Sequence, residues 1–203
     1  MSIVLVGSTS GSCTLQEQAV AGNTTLTLPT VSGTILTTGS SGQSIPKAAL
    51  PTGSVLQVVQ ATSTTQTTST NTWTDTSLSA SITPTSSTSK ILVIVGQNFS
   101  LSQAPSASAY GGLRMLRGST VIMNPSQADS GGPYMLGISS GNGSSATNYG
   151  YVSFNFLDSP ATTSSTTYKT QQRAYNSSTS MSTQVNDGVT NGTSTITLME
   201  IAA

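Results

Sequence analysis

Catalysis by this chain would have to run on carboxylates and hydroxyls, because its 203 residues include no histidine and a single cysteine, Cys13. General acid–base work needs two such groups converging on one site. The six carboxylates, Glu17, Asp75, Asp129, Asp158, Asp187 and Glu200, are scattered so that no two share a turn or a hairpin. Composition excludes metal sites built from His and Cys. An oxygen-only Ca²⁺ site using Asp129, Asp158 or Asp187 has no acidic loop pattern behind it. Ser44-x-x-Lys47 and Ser87-x-x-Lys90 match a nucleophile spacing, but the helix that such a motif needs is not predicted, and Ser is so common that the match arises by chance. The same argument applies to the Asn-x-Ser/Thr acceptor patterns at Asn23, Asn98, Asn142, Asn176 and Asn191. The glycines at 131–132 and 141–143 do not sit between a strand and a helix, so phosphate cradling is not expected. No catalytic, cofactor-binding or metal-binding residue is assigned, and the expectation is a protein that is not an enzyme.

Recognition has better candidates than catalysis. Aromatic and Arg side chains dominate binding hot spots, and Tyr110, Tyr134, Tyr149 and Tyr151 with Arg114 and Arg117 are the residues of that kind. Tyr134, Tyr149, Tyr151 and Arg114 are the expected receptor or interface contacts. Two roles are open to them: stacking on a sugar, or packing in the core and between subunits with the phenol reaching a partner. Residues 124–145, rich in Gly, Ser, Asn and Pro, form the longest irregular stretch of the second half, and long loops in compact domains often carry function.

Composition narrows the partners. Charged residues are 6% of the chain and the formal net charge is zero, against about 25% charged in an average domain. A basic footprint for nucleic acid is absent, and no segment approaches the ~18 apolar residues of a membrane span. Neither nucleic acid nor membrane is therefore an expected partner. The first residues have no basic flank before their short apolar run, unlike a secretory signal, so synthesis without export is expected. Ser and Thr make up roughly a third of the chain. Such a composition fits either a disordered linker or a β protein with a hydroxyl-covered surface. The alternation of Thr with Leu, Ile and Val selects the second.

These residues must be positioned by strands. Residues 90–99 hold five consecutive aliphatics, Ile91 to Val95, four of them β-branched. The run is too short for a buried helix and reads as a strand covered on both faces, the centre of the core. Further strands are predicted at 55–60, 78–82, 149–157, 166–175 and 194–201, with a hairpin turning at Gly118-Ser119. Residues 101–109 read as a loop, and 62–71 as either a loop or a hydroxyl-rich edge strand. Eight to ten closely spaced strands without a convincing helix predict an all-β jelly roll or β-sandwich over residues 54–203, with the last strand central. Residues 1–53 differ. Thr24-Thr25-Leu26-Thr27-Leu28 alternates strictly, but aromatics are missing until Trp73. So short and apolar-poor a segment cannot close its own core and reads as an extended arm for attachment or strand exchange. Leu26, Leu28, Ile35 and Leu36 are its expected assembly contacts.

The segments Thr14-Leu15-Gln16, Thr24-Thr25-Leu26-Thr27-Leu28-Pro29 and Ser32-Gly33-Thr34-Ile35-Leu36-Thr37-Thr38-Gly39 resemble a pattern common near the start of virion structural proteins of tailed bacteriophages. The remainder, from Trp73 through residues 90–95, 113–118, 157–161 and 196–202, is similar to jelly-roll modules on phage capsids and fibres. The resemblance implies a homotrimer of tumour-necrosis-factor-like sandwiches, made in the host cytoplasm and located on the virion. It also implies an arm that grips the major capsid protein or another virion protein. Two functions follow: a capsid decoration or cement protein, and a head- or tail-fibre protein that recognises a host glycan.

Overall fold

The computed structural model describes residues 2–6, 12–16, 50–105, 108–124, 136–139, 144–175, 177–185 and 192–203. The chain divides into two compact units, Met1–Ile45 and Pro46–Ala203, so residues 46–53, read above as the end of the arm, group with the larger unit. In the smaller unit β1 (Ser2–Val6) and β2 (Ser12–Gln16) form an antiparallel ribbon with Ser2 opposite Gln16 and Val6 opposite Ser12. Leu26, Leu28, Ile35 and Leu36 lie outside the described residues.

The larger unit is all-β. Among the described residues it contains two antiparallel sheets and no helix, the arrangement of a β-sandwich. The sheet built on β6 (Lys90–Gln103) also holds β3 (Val55–Ser63), β4 (Thr67–Ser69), β10 (Ala146–Asp158), β12 (Thr179–Thr183) and β13 (Ser194–Ile201). The second sheet runs β5 (Thr74–Ile82), β11 (Thr166–Ala174), β7 (Ser108–Arg117), β8 (Thr120–Met123), with β9 (Leu136–Ser139) also on β7. The hairpin between β7 and β8 turns where predicted; Gly118 there has φ 57°, a left-handed conformation that glycine adopts without penalty.

β6 is longer than its apolar run suggested. It continues to Gln103, so residues 101–103 belong to the strand and not to a loop. One edge pairs with β10 over its whole length, from Ala146 opposite Gln103 to Asp158 opposite Ile91. The other edge is shared. β13 takes Lys90 to Gly96, and β12 takes Phe99 to Gln103. β13 thus lies between β3 and β6, inside the sheet as expected for the last strand. Of the cover expected for β6 from a second sheet or a neighbouring subunit, the described residues supply the sheet, on one face. Ile91, Val93 and Val95 are fully buried between the sheets, but Leu92 and Ile94 on the outer face are only half-buried. Among the described residues, one side of β6 has a second sheet to pack on.

The interior is divided. One apolar cluster gathers Leu78, Ile82, Ile91, Val93, Val95, Met115, Tyr168, Ile196 and Leu198. A second holds Phe99, Leu101, Leu113, Ala174 and Met181. Half-buried Phe154 packs against both. Between them inward positions turn polar on β5, β6, β11, β12 and β13: Thr76, Gln97, Thr170, Gln172, Thr183 and Ser194. Thr76 Oγ1 hydrogen-bonds Thr170 Oγ1, which donates to Gln97 Oε1 at 3.0 Å. Gln184, with its amide oriented to satisfy both ends, accepts from Gln97 Nε2 at 3.0 Å and Ser194 Oγ at 3.1 Å and donates to Thr183 Oγ1 at 2.7 Å. Thr183 Oγ1 meets Thr67 Oγ1 at 3.0 Å, and Thr67 Oγ1 accepts from Gln172 Nε2 at 3.2 Å. The chain of amides and hydroxyls therefore runs from one sheet to the other and back. Gln184 also holds a left-handed backbone, φ 51°, which costs a non-glycine residue about 1–2 kcal/mol and is offset by the partners its amide gains there.

Gln97→Leu keeps the volume but removes the acceptor of the Thr170 hydroxyl and one of the two donors to the Gln184 amide oxygen. It is expected to lower stability by about 1–3 kcal/mol in spite of its added apolar surface. Urea denaturation checks this, and a variant as stable as the parent would show that the polar layer adds nothing beyond what an apolar one supplies.

Candidate functional site

The candidate residues occupy two surfaces that face away from each other. On the β6 sheet the outer face carries an apolar row set by register: Val58 of β3 faces Met199 of β13, which faces Leu92 of β6, which faces Leu157 of β10. Val58 is 54% exposed and Leu157 49%. Ile94, two residues along β6, widens the row. Beyond Asn155 and Ser153 on the same face of β10 stand Tyr151 and Tyr149, 58% and 67% exposed. The Tyr151 ring lies across Gly96, where a Cβ would collide with the phenol, so glycine there lets the tyrosine lie flat on the sheet. β10 itself is an edge. Among the described residues it pairs only with β6, in 13 consecutive residues without a bulge. It contains no Lys, Arg or Pro, and its one charge, Asp158, sits at the end, buried and bound by Arg117 at 2.8 Å and by the Tyr168 hydroxyl at 2.7 Å. Burial, and next the bond that it donates to Asp158, push the Tyr168 phenol far above its ordinary value, so it remains a donor to the carboxylate. Edge strands are normally guarded by Lys, Pro, bulges or shortness; β10 has none of these.

The outer face of the second sheet has a different chemistry. Register places Asp75, Gln171 and Arg114 side by side across β5, β11 and β7. Arg114 donates through Nε at 2.8 Å and Nη2 at 2.5 Å to Gln171 Oε1. Gln171 Nε2 donates to Asp75 at 2.7 Å, and Lys169 Nζ closes the network on Asp75 at 2.8 Å. The Arg114 guanidinium lies 4.3 Å from the centre of the Trp73 ring, a cation–π contact. Arg173, one residue beyond Gln172 on β11, donates to Asn71 at 2.9 Å. Burial, then the nearby Arg173 charge, lower the Arg114 pKa, and Asp75 opposes them.

Of the expected contacts, Tyr149 and Tyr151 fall together on the first surface, whereas Arg114 belongs to the second; the structure does not bring them into one site. Tyr134 lies outside the described residues. Sequence reasoning passed over Trp73 as a site residue, although it is the chain's single tryptophan. Its meeting with Arg114 spans two strands and has no local pattern. Asp129 and Asp187 are also outside the described residues, and Asp158 is engaged with Arg117 and Tyr168. Among the described residues, no group of three or more Asp, Glu or Cys side chains could hold a metal.

One further feature sits where the connector enters the sandwich. Gly53 donates to the Ala202 carbonyl at 2.8 Å, and Ala202 donates to the Ser54 carbonyl at 2.9 Å. Beside this clamp Leu50, Leu56, Thr85, Thr88 and Ser89 line a cavity of ≈ 410 Å³. Glu200 is fully buried next to it. Its carboxylate accepts from Gln57 Nε2 at 2.6 Å and from both Thr85 N and Thr85 Oγ1 at 2.7 Å. Burial alone would raise its pKa; the donors on Thr85, Gln57 and Ser89 outweigh burial and hold it below the ordinary 4.5.

No protein family matches the chain by sequence, and no curated protein does. Among solved structures, the chain is similar to one in the structure of infectious bursal disease virus, Gx strain, at 15% identity and a TM-score of 0.29. The likeness covers 81% of this chain and 42% of the viral one, so the present chain matches less than half of that chain's length.

The Glu200 carboxylate makes a pH prediction. Its folded pKa is depressed, so the stability it contributes is complete above the ordinary value of 4.5 and is lost as pH falls through the lower folded value. Glu200→Gln sets an amide donor against the Gln57 donor. The variant is expected to be less stable at neutral pH by about 1.5–3 kcal/mol and to show a shallower acid limb, read from melting temperature against pH. Parallel acid limbs in parent and variant would remove Glu200 from the account.

Proposed function

We propose that the protein is a non-enzymatic virion structural protein, a capsid decoration protein that binds and stabilises the shell. The larger unit associates with copies of itself, in the homotrimer that the phage-like sequence pattern implies, and the arm in residues 1–53 grips the major capsid protein. The observation that carries this reading is β10: a long, unguarded, almost uncharged edge strand whose outward side chains include Leu157, which ends an exposed apolar row, and the exposed Tyr151 and Tyr149. An edge of this kind is a template for another chain, and strand addition supplies main-chain hydrogen bonds without charged contacts. The row supplies apolar area beside that edge. A chain with so few charges is suited to such contacts, because unpaired charges buried in an interface are costly.

Two changes separate the parts. Leu157→Glu places a charge in the row at a position 49% exposed, so the fold is expected to survive with a melting temperature near that of the parent while the associated species becomes monomeric by light scattering. Deletion of residues 2–39 is expected to leave a folded sandwich that no longer binds capsids. Capsids lacking the protein are expected to release DNA at a lower temperature. Unchanged heat resistance of such particles would overturn the stabilising role.

A further inference from the structure

We propose that the outer face of the β5–β11–β7 sheet is a binding site for an acidic saccharide, with Trp73 as the stacking platform and Arg114 and Arg173 as the carboxylate contacts. The site lies on the opposite sheet from the assembly surface and does not depend on it. Charge is the first argument. The chain has six cations and six carboxylates, yet this face holds three cations, Arg114, Lys169 and Arg173, against one carboxylate, Asp75. The local excess is two positive charges in a chain whose total is zero. Asp75 is already shared between Lys169 and Gln171, so the two guanidiniums have no carboxylate of their own among the described residues. Burial lowers the Arg114 pKa and the Arg173 charge adds to it; a bound anion relieves the second contribution.

Donor geometry is the second argument. A guanidinium has five N–H donors in a fixed fork. Arg114 spends Nε and Nη2 on one acceptor, Gln171 Oε1, which leaves the Nη1 edge. Arg173 spends Nη2 on Asn71, and its Nε is buried with no hydrogen-bond partner among the described residues. Arg173 faces Gly112 in register, so no side chain of β7 stands opposite it. Both guanidiniums are held by their neighbours before any ligand arrives, which lowers the ordering cost of binding.

The aromatic and hydroxyl surroundings select a sugar. Trp73 is part-exposed beside the guanidiniums, and an indole face packs against the apolar face of a pyranose. Ser77 points outward along β5, and with the amides of Asn71 and Gln171 it offers both donors and acceptors, as sugar hydroxyls require. A phosphate polymer would call for a broader basic footprint than three cations.

The test uses the full-length protein and its only tryptophan as reporter. Oligogalacturonate and oligosialate are titrated while Trp73 emission is followed, with methyl-esterified oligogalacturonate and polyphosphate as comparisons. A saturable change is expected with at least one acidic sugar. Binding should be about tenfold weaker or worse in Arg173→Gln, as loss of a charged hydrogen bond predicts, and weaker again for the ester. Arg114→Lys keeps the charge but loses the fork, and is expected to weaken binding too. Melting curves of both variants establish that they are folded. No saturable response to either acidic sugar, equal affinity for acid and ester, unchanged affinity in folded Arg173→Gln, or tighter binding of polyphosphate would each overturn the assignment.

Discussion

Gln97 sits at the middle of the strand on which the sandwich is built, and its side chain must find partners with no water beside it. That requirement organises the interior. β6 alternates inward Ile91, Val93 and Val95, then Gln97, then Phe99 and Leu101, so an amide arrives at the same depth in every copy of the fold. A buried amide left unpaired costs more than the apolar contacts beside it can return. The opposing strands therefore bring Thr170 and Thr76 to that level, and Gln184 adopts a left-handed backbone to reach it. A one-residue slip of β11 would turn Thr170 and Gln172 outward and bring Lys169, Gln171 and Arg173 into the interior. In a chain rich in near-interchangeable Thr and Ser, the polar layer is what distinguishes one register from the next.

The same layer marks where sequence reasoning stopped. Alternation made several of the strands legible, and the Ile91–Val95 run located the centre of the core. The extension of β6 to Gln103 was hidden because Gln97, Asn98, Ser100 and Ser102 read as surface residues. A Thr on an alternating strand looks the same whether its face meets water or a buried glutamine, so Thr76, Thr170 and Thr183 gave no signal of burial. Leu92 and Ile94 are the opposite case: their apolarity suggested a covered outer face, and among the described residues they are half-buried. Of the candidate sites, the tyrosines of β10 could be found from composition. Trp73 and Arg114 could not be joined, because nothing local brings together residues that meet across two strands.

The two outer faces divide the work that a low-charge chain must do. A protein with few charges has little long-range steering and little repulsion to keep its copies apart. Here the charges that exist are not spread evenly. Asp158 is buried and satisfied from the opposite sheet by Arg117 and Tyr168, and Glu200 is buried and satisfied by Gln57 and Thr85. Arg114, Lys169 and Arg173 are gathered on one outer face with Asp75, whereas the other outer face carries Lys90 at one end of β6 and an apolar row of Val58, Leu92, Met199 and Leu157. Sidedness of this kind favours association through one face only, since bringing the cationic face of one copy against that of another would confront guanidiniums with guanidiniums.

That asymmetry bears on how an assembled module would present itself. If the apolar face and the β10 edge are taken up by neighbouring copies, the cationic face cannot be in the same contact, because it lies on the other side of the sandwich. It then remains outward, whatever the symmetry of the assembly. The connector clamp fixes the other coordinate: Gly53 and Ser54 are bonded to Ala202 at the end of β13, so the chain enters the sandwich at the edge of the β6 sheet, beside the strand that carries Met199 and Ile201. On the proposed function, self-association would use this sheet, and the Trp73 face would be left for a third interaction.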